Sequence, residues 1–249
     1  MSEEKLKFPT EEVELPSKGI VYPKDNPLSS GKVEMKYMTA KEEDILTNQS
    51  YIQKGQVIDK LLEALIVSKV DYKDLIVGDK NALLIAARIL GYGSDYEFSY
   101  RNEKITIDLS SLENKPLDES KFEQGQNEFP FTCPKSETVL TWKLLTHKDE
   151  TKIDNELKGL KKINKNASPE LSTRLKHMIV SVDGSEDKKD IRNFVDNYFL
   201  AQDSRALRTY IRDFQPDVDL TVSVDTLEGG EEDINVPIGL NFFWPDSDI

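Results

Sequence analysis

The stretch KYMTAKEEDIL at residues 36–46 is echoed by KLLTHKDETKI at residues 143–153. Both follow one frame: a lysine, two bulky residues, a threonine, any residue, a lysine and two acids. In the first copy Val33, Met35 and Tyr37 alternate with Lys32, Glu34 and Lys36, the two-residue period of a half-buried strand. Thr39 ends the alternation. With Glu42 three places on, it has the spacing of a capping box, in which hydroxyl and carboxylate satisfy backbone N–H groups that the first helical turn leaves without partners. Glu42, Glu43 and Asp44 also suit the positive end of a helix. The second copy repeats the pattern: Leu140, Trp142 and Leu144 alternate, then Thr146 caps a helix opened by Asp149 and Glu150.

The neighbours of the two copies match in the same order. VELPSKG (13–19) answers FTCPKSE (131–137), setting Pro16 opposite Pro134 and Leu15 opposite Cys133. LEALIVSKVD (62–71) answers LKHMIVSVDG (175–184), and DKNALLIAARI (79–89) answers DSRALRTYIRD (203–213). A strand pair closes each half, at 96–109 and 218–240. These matches predict an α+β protein of two tandem structural repeats, each running strand, capped helix, helices and β-hairpin, packed as a pseudo-twofold pair. The expected division is an extended N-terminal arm over 1–23, a first α+β repeat over 24–112, a polar linker over 113–128, and a second repeat over 129–249 that includes an aromatic C-terminal segment.

Helical periodicity fills in the rest. Val57, Ile58, Leu61, Leu62, Leu65 and Ile66 form one stripe, and ALLIAARIL (82–90) is apolar nearly all round, as in a buried helix ending at Gly91 and Gly93. The second half offers Leu171, Leu175, Met178 and Ile179 as one stripe. Ile191, Phe194, Val195, Tyr198 and Phe199 form another, and Leu207, Tyr210, Ile211 and Phe214 a third.

The chain has 249 residues, 37% hydrophobic and 32% charged, with a formal net charge of −13. Nucleic-acid binders usually present a basic face, so direct nucleic-acid contact is not expected. The basic run KGLKKINKNA (158–167) lacks interleaved aromatics and reads as a solvated helix end. No apolar run is long enough for a membrane span, and MSEEKLKF has neither the basic nor the apolar region of a signal peptide. We therefore expect cytosolic synthesis and no membrane partner. A lone Cys133 excludes an internal disulfide and a multi-cysteine zinc cage. It stands opposite Leu15 and reads as a small core hydrophobe.

Catalytic signatures are missing from the sequence: it has no GxxxxGK[ST], no GxSxG and no HExxH. Gly91-Tyr92-Gly93 precedes a strand and reads as a helix C-cap, and Gly229-Gly230 as a hairpin turn. His147, in a first helical turn, and His177, mid-helix, read as surface or packing residues. The acidic clusters at 42–44, 186–187 and 231–233 fall at expected helix starts or a turn. No enzyme, cofactor, metal or small-molecule substrate is expected.

Two stretches stand out as partner-binding candidates. LPSKGIVYP (15–23) contributes Leu15, Pro16, Ser17, Tyr22 and Pro23, stiffened by two prolines around Gly19. VPIGLNFFWPD (236–246) contributes Phe242, Phe243, Trp244 and Pro245, large surfaces that either return to the core or anchor a neighbour.

LPS followed by a glycine and YP, then MTAKEEDIL, then the closing FFWP, resembles the baseplate-hub protein family of T-even-type contractile-tailed bacteriophages over almost the whole chain. The resemblance implies a phage structural or assembly protein of the central tail hub, with other baseplate or hub proteins as partners. It also implies residence in the host cytoplasm during assembly, and in the virion tail baseplate if the protein is retained. Two roles remain open: a permanent virion component, or a transient acidic assembly chaperone absent from the virion. A third reading is an acidic nucleic-acid mimic. Many members of that family carry C-x-x-C pairs in both hairpins, suggesting a shared zinc ribbon. This chain has Tyr100-Arg101-Asn102-Glu103 and Asp225-Thr226-Leu227-Glu228 there, so no metal carries over; if the hairpins meet, side-chain packing must replace it.

Overall fold

The two threonine caps form as their spacing requires. In a computed structural model that describes residues 9–101, 103–164, 169–226 and 230–243, Thr39 starts helix α1 (Ala40–Leu46). Its backbone N–H and its hydroxyl both donate to the Glu42 carboxylate, at 3.0 and 2.6 Å. Thr146 starts helix α5 (His147–Ile163) in the same way: its N–H donates to Asp149 at 3.3 Å, and its hydroxyl oxygen accepts from the Asp149 N–H. A lysine six residues earlier completes each cap, Lys36 on Glu42 at 2.8 Å and Lys143 on Asp149 at 2.7 Å. Burial alone would raise both carboxyls, but the lysine and threonine donors outweigh it and hold them below the usual range.

The strand before each cap is present, with partners the alternation did not reveal. Strand β2 (Lys32–Lys36) pairs antiparallel with β1 (Thr10–Glu14), with Val33 opposite Val13. The expectation of an extended arm over 1–23 is therefore corrected for its described part: residues 10–14 are an edge strand, and 15–23 turn back onto the core. TEEVE carries one apolar residue among charges, a pattern that suits an edge strand and hides it from a search for alternation. In the second half, β6 (Val139–Trp142) lies between β5 (Phe129–Thr132) and β7 (Ile179–Val182). The helical stripe through Leu171, Leu175, Met178 and Ile179 stops one residue short. α6 (Glu170–Met178) ends where the β-branched run IVSV leaves to pair with β6.

Three further helices occupy the first half: α2 (Gln49–Lys54), α3 (Val57–Leu65) and α4 (Val77–Tyr92). After α3, Ile66 makes a single bridge to Met35 of β2. α4 is the buried helix the sequence predicts, and it ends at Gly93, whose φ of +84° suits a residue without Cβ. Arg88, within it, is 2% exposed. Its guanidinium donates to the carbonyls of Gly93 and Asp95, at 3.0 and 3.1 Å, placing a cation at the negative end of the helix. The second half has α7 (Lys188–Asn197) and α8 (Ala201–Phe214). Each half closes with an antiparallel hairpin, β3 (Asp95–Tyr100) with β4 (Glu103–Asp108) and β8 (Thr221–Thr226) with β9 (Gly230–Asn235). Glu231, Glu232 and Asp233 thus lie in a strand, and the expected turn at Gly229 falls outside the described residues.

The α+β class is as the sequence predicts, and several contacts join the halves. Val77 N–H donates to Leu145 O at 3.1 Å and His147 N–H to Leu75 O at 2.8 Å, so the start of α4 is laced to the start of α5. Lys115 N–H donates to Asp217 O and Asp219 N–H to Glu113 O, both at 2.8 Å. Gly78 packs against residue 216 so closely that a Cβ on it would sit 1.9 Å from the Pro216 carbonyl oxygen. The segment 113–128 does separate the halves in sequence, but it is packed rather than free. Phe122, 8% exposed, joins Phe129, Trp142, Tyr210 and Phe214 in one aromatic cluster, with its ring centroid 4.7 Å from that of Phe214.

Candidate interaction site

The residues singled out as anchors mostly face inward. Leu15, Pro16, Ser17 and Tyr22 are buried, whereas Pro23 is exposed. Ser17 donates its N–H and its hydroxyl to the Asp79 carboxylate, at 2.9 and 2.7 Å, and the Tyr22 hydroxyl donates to the same carboxylate at 2.6 Å. Tyr22 in turn accepts from the Ile76 N–H at 3.1 Å, an amide at the start of α4. The turn between them needs Gly19: its φ is +78°, and a Cβ there would lie 2.5 Å from Ser29 O. Phe242 and Phe243 are likewise fully buried, and the Phe242 ring stands edge-on to Tyr96 with centroids 4.8 Å apart. Trp244 and Pro245 lie outside the described residues. Of the two alternatives the sequence leaves for these segments, the described anchor residues other than Pro23 take the fold back onto the core.

Asp79 is fully buried, and burial raises its pKa to about 6 against the opposing pull of Tyr22 and Ser17. Burial beside this carboxyl also pushes the Tyr22 phenol up. A second buried aspartate does parallel work in the other half, where Asp203 accepts from the N–H groups of Lys135 and Ser136 at 2.8 and 3.1 Å. In each half an aspartate in the first turn of a helix fastens the turn after a proline.

A polar cluster lies on the seam between the halves. Asp59 accepts from the Tyr72 hydroxyl at 3.0 Å and from Lys80 at 3.2 Å, and His147 Nε2 is 3.5 Å from it. The His147 and Tyr72 rings are 4.4 Å apart. Burial, then the Lys80 charge, lowers the imidazole pKa and favours its neutral form. Burial raises the Tyr72 phenol. His147 therefore packs, as expected, while His177 contacts Glu156 at 2.9 Å. Cys133 is fully buried, in keeping with a core role, and burial pushes its thiol up. Among the described residues, no group of three or more His, Cys, Asp or Glu side chains could hold a metal ion, and no helix is long and apolar enough to cross a membrane.

The two hairpins meet through side chains. Arg101, at the tip of the β3–β4 turn with φ +46°, forks onto Glu232 of β9 at 2.8 and 2.9 Å, and the Tyr100 hydroxyl donates to the same carboxylate at 3.1 Å. Asn102, Leu227 and Glu228 lie outside the described residues. Beside this junction runs an open cleft of about 840 Å³. Its walls are consecutive residues of β4 on one side, through Ile105 and Thr106, and of β8 on the other, through Val222 and Ser223. Consecutive lining means that the cleft follows the strand edges rather than a sheet face. Sequence reasoning missed it, because strand alternation marks faces, and the approach of two edges is a property of how the hairpins are docked.

Compared with known protein families, curated proteins and solved structures, the chain matches none.

Proposed function

We propose that the chain is a non-enzymatic phage tail protein, a structural component or assembly factor of the baseplate hub acting through protein-protein contacts. The observation that carries this reading is the use of its buried charge. Asp79, Asp203, Glu42 and Asp149 all aim their carboxylates at turns and helix starts of their own chain, so these groups maintain shape. The resemblance of LPS, MTAKEEDIL and FFWP to hub proteins supplies the setting. A chain of net charge −13 suits neighbours with basic faces. We also infer an ancestral doubling packed as a pseudo-twofold pair. The matched Lys36–Glu42 and Lys143–Asp149 caps and the matched roles of Asp79 and Asp203 support it.

Mass spectrometry of purified particles tests the proposal. Stoichiometric copies support a permanent component, and absence from particles whose hubs fail to form without this chain supports a transient chaperone, the role its acidity favours. Hubs that form normally in its absence would remove both. Pull-downs need the intact chain, because deleting residues 1–23 takes Leu15, Ser17 and Tyr22 out of the core.

A further inference from the structure

The cleft between β4 and β8 has two strand edges facing it. Leu109 N–H donates to Ser94 O at 2.8 Å, and antiparallel pairing alternates by twos from there. Ile107 and Ile105 therefore bond to β3, while Thr106 turns its main-chain N–H and C=O toward the cleft. Val236 N–H donates to Leu220 O at 2.8 Å, so by the same count Val222 and Val224 bond to β9, and Ser223 and Asp225 turn outward. Among the described residues, the main-chain groups of Thr106, Ser223 and Asp225 have no other partner.

We propose that this cleft is a docking site for one extended, basic segment of a partner protein, which would add as a strand to the outward edge of β4, with the β8 edge forming the opposite wall. Paired in this way, it would sit one strand spacing, about 4.8 Å, from β4. The proposal deepens the protein-protein reading above by naming the surface and the chemistry of its partner. Charge selects the occupant: the four hairpin strands carry eight acidic residues and one basic residue, Lys104. The pleat selects its pattern. Ile105 and Ile107 are buried while Thr106 and Asp108 are exposed, so the segment should alternate apolar residues inward with basic residues outward. A second copy of this chain would bring its own acidic edge and be repelled.

The probe is a fluorescent peptide of about seven residues alternating lysine and valine, long enough to follow the ~20 Å of a six-residue strand. Fluorescence anisotropy with the intact protein should show saturable binding. Methylating alternate peptide amides should weaken it about tenfold or more, the worth of one lost hydrogen bond. Thr106→Pro should do the same, since proline is tolerated on an edge strand whose N–H points outward, and a thermal melt verifies that the variant is folded. Asp225→Lys should weaken binding of the lysine peptide. Undiminished binding of the methylated peptide, an unaffected Thr106→Pro protein or no saturable binding would overturn the proposal. So would a dimer in sedimentation that Thr106→Pro abolishes, which would give the cleft to a second copy. None of these results alters the particle-content test, so the two readings fail separately.

Discussion

Asp79→Asn, followed across pH, isolates the proton that Asp79 binds. Burial lifts this carboxyl from 3.8 to about 6, although three donors oppose the shift. The folded chain therefore holds the proton more tightly than the unfolded chain does. That advantage is complete below 3.8 and is lost as pH rises through 6. The full difference corresponds to about 3 kcal/mol, of which about 2.5 kcal/mol falls between about pH 7 and about pH 4. Asparagine binds no such proton and contributes only a constant offset. The stability of the wild type relative to the variant should therefore grow by about 2.5 kcal/mol on acidification over that range. Urea denaturation read by tryptophan fluorescence gives both values at each pH, since Trp142 is fully buried in the aromatic cluster. A flat difference would refute the reasoning. A difference that grew toward neutral pH would mean that Ser17 and Tyr22 outweigh burial and hold the carboxyl ionised.

The threonine caps should show the opposite sign. Glu42 and Asp149 are held below their ordinary values, so the stability they contribute is present above the unfolded pKa and is lost as pH falls through the folded one; a urea series on Asp149→Asn should show its destabilisation shrinking in acid. Gly78→Ala should cost several kcal/mol, because its methyl would meet the Pro216 carbonyl oxygen at 1.9 Å; a melting temperature within a degree or two of wild type would contradict that close approach. A double-mutant cycle on Arg101→Ala and Glu232→Ala should give a coupling of about 1 kcal/mol or less. The pair is partly solvent-exposed, and a larger value would mean that the hairpin junction is dry. Cys133 should react with a thiol reagent only as fast as the chain opens, so labelling that outpaces unfolding would contradict its burial.

Much of the fold was legible wherever local chemistry suffices. Thr39 with Glu42 and Thr146 with Asp149 declare helix starts by spacing alone, and ALLIAARIL followed by Gly93 declares a buried helix and its end. Long-range pairing was harder to see. β1 is nearly all charge and acquires meaning only from β2, and IVSV continues a helical stripe in sequence while its β-branched residues pair with β6 in space. LPSKGIVYP looks like a stiff arm because nothing near it in sequence announces Asp79, which lies 62 residues beyond Ser17. The candidate site was the least legible part, since the β4–β8 cleft depends on how two hairpins dock.

The segment 113–128 acts as a buckle, and this bears on how the protein is made. Gln124 donates its side-chain amide to Gly19 O and Tyr22 O, Gly125 N–H donates to Ile20 O, and Lys115 reaches across to Asp217. A ribosome delivering the chain from its N-terminus releases residues 9–112 just before the buckle, and well before the Pro216 carbonyl against which Gly78 closes. The leading half must then wait, incompletely covered, until translation is nearly finished. Slowing synthesis past residue 112 should lengthen that exposure and increase recruitment of chaperones to the nascent chain.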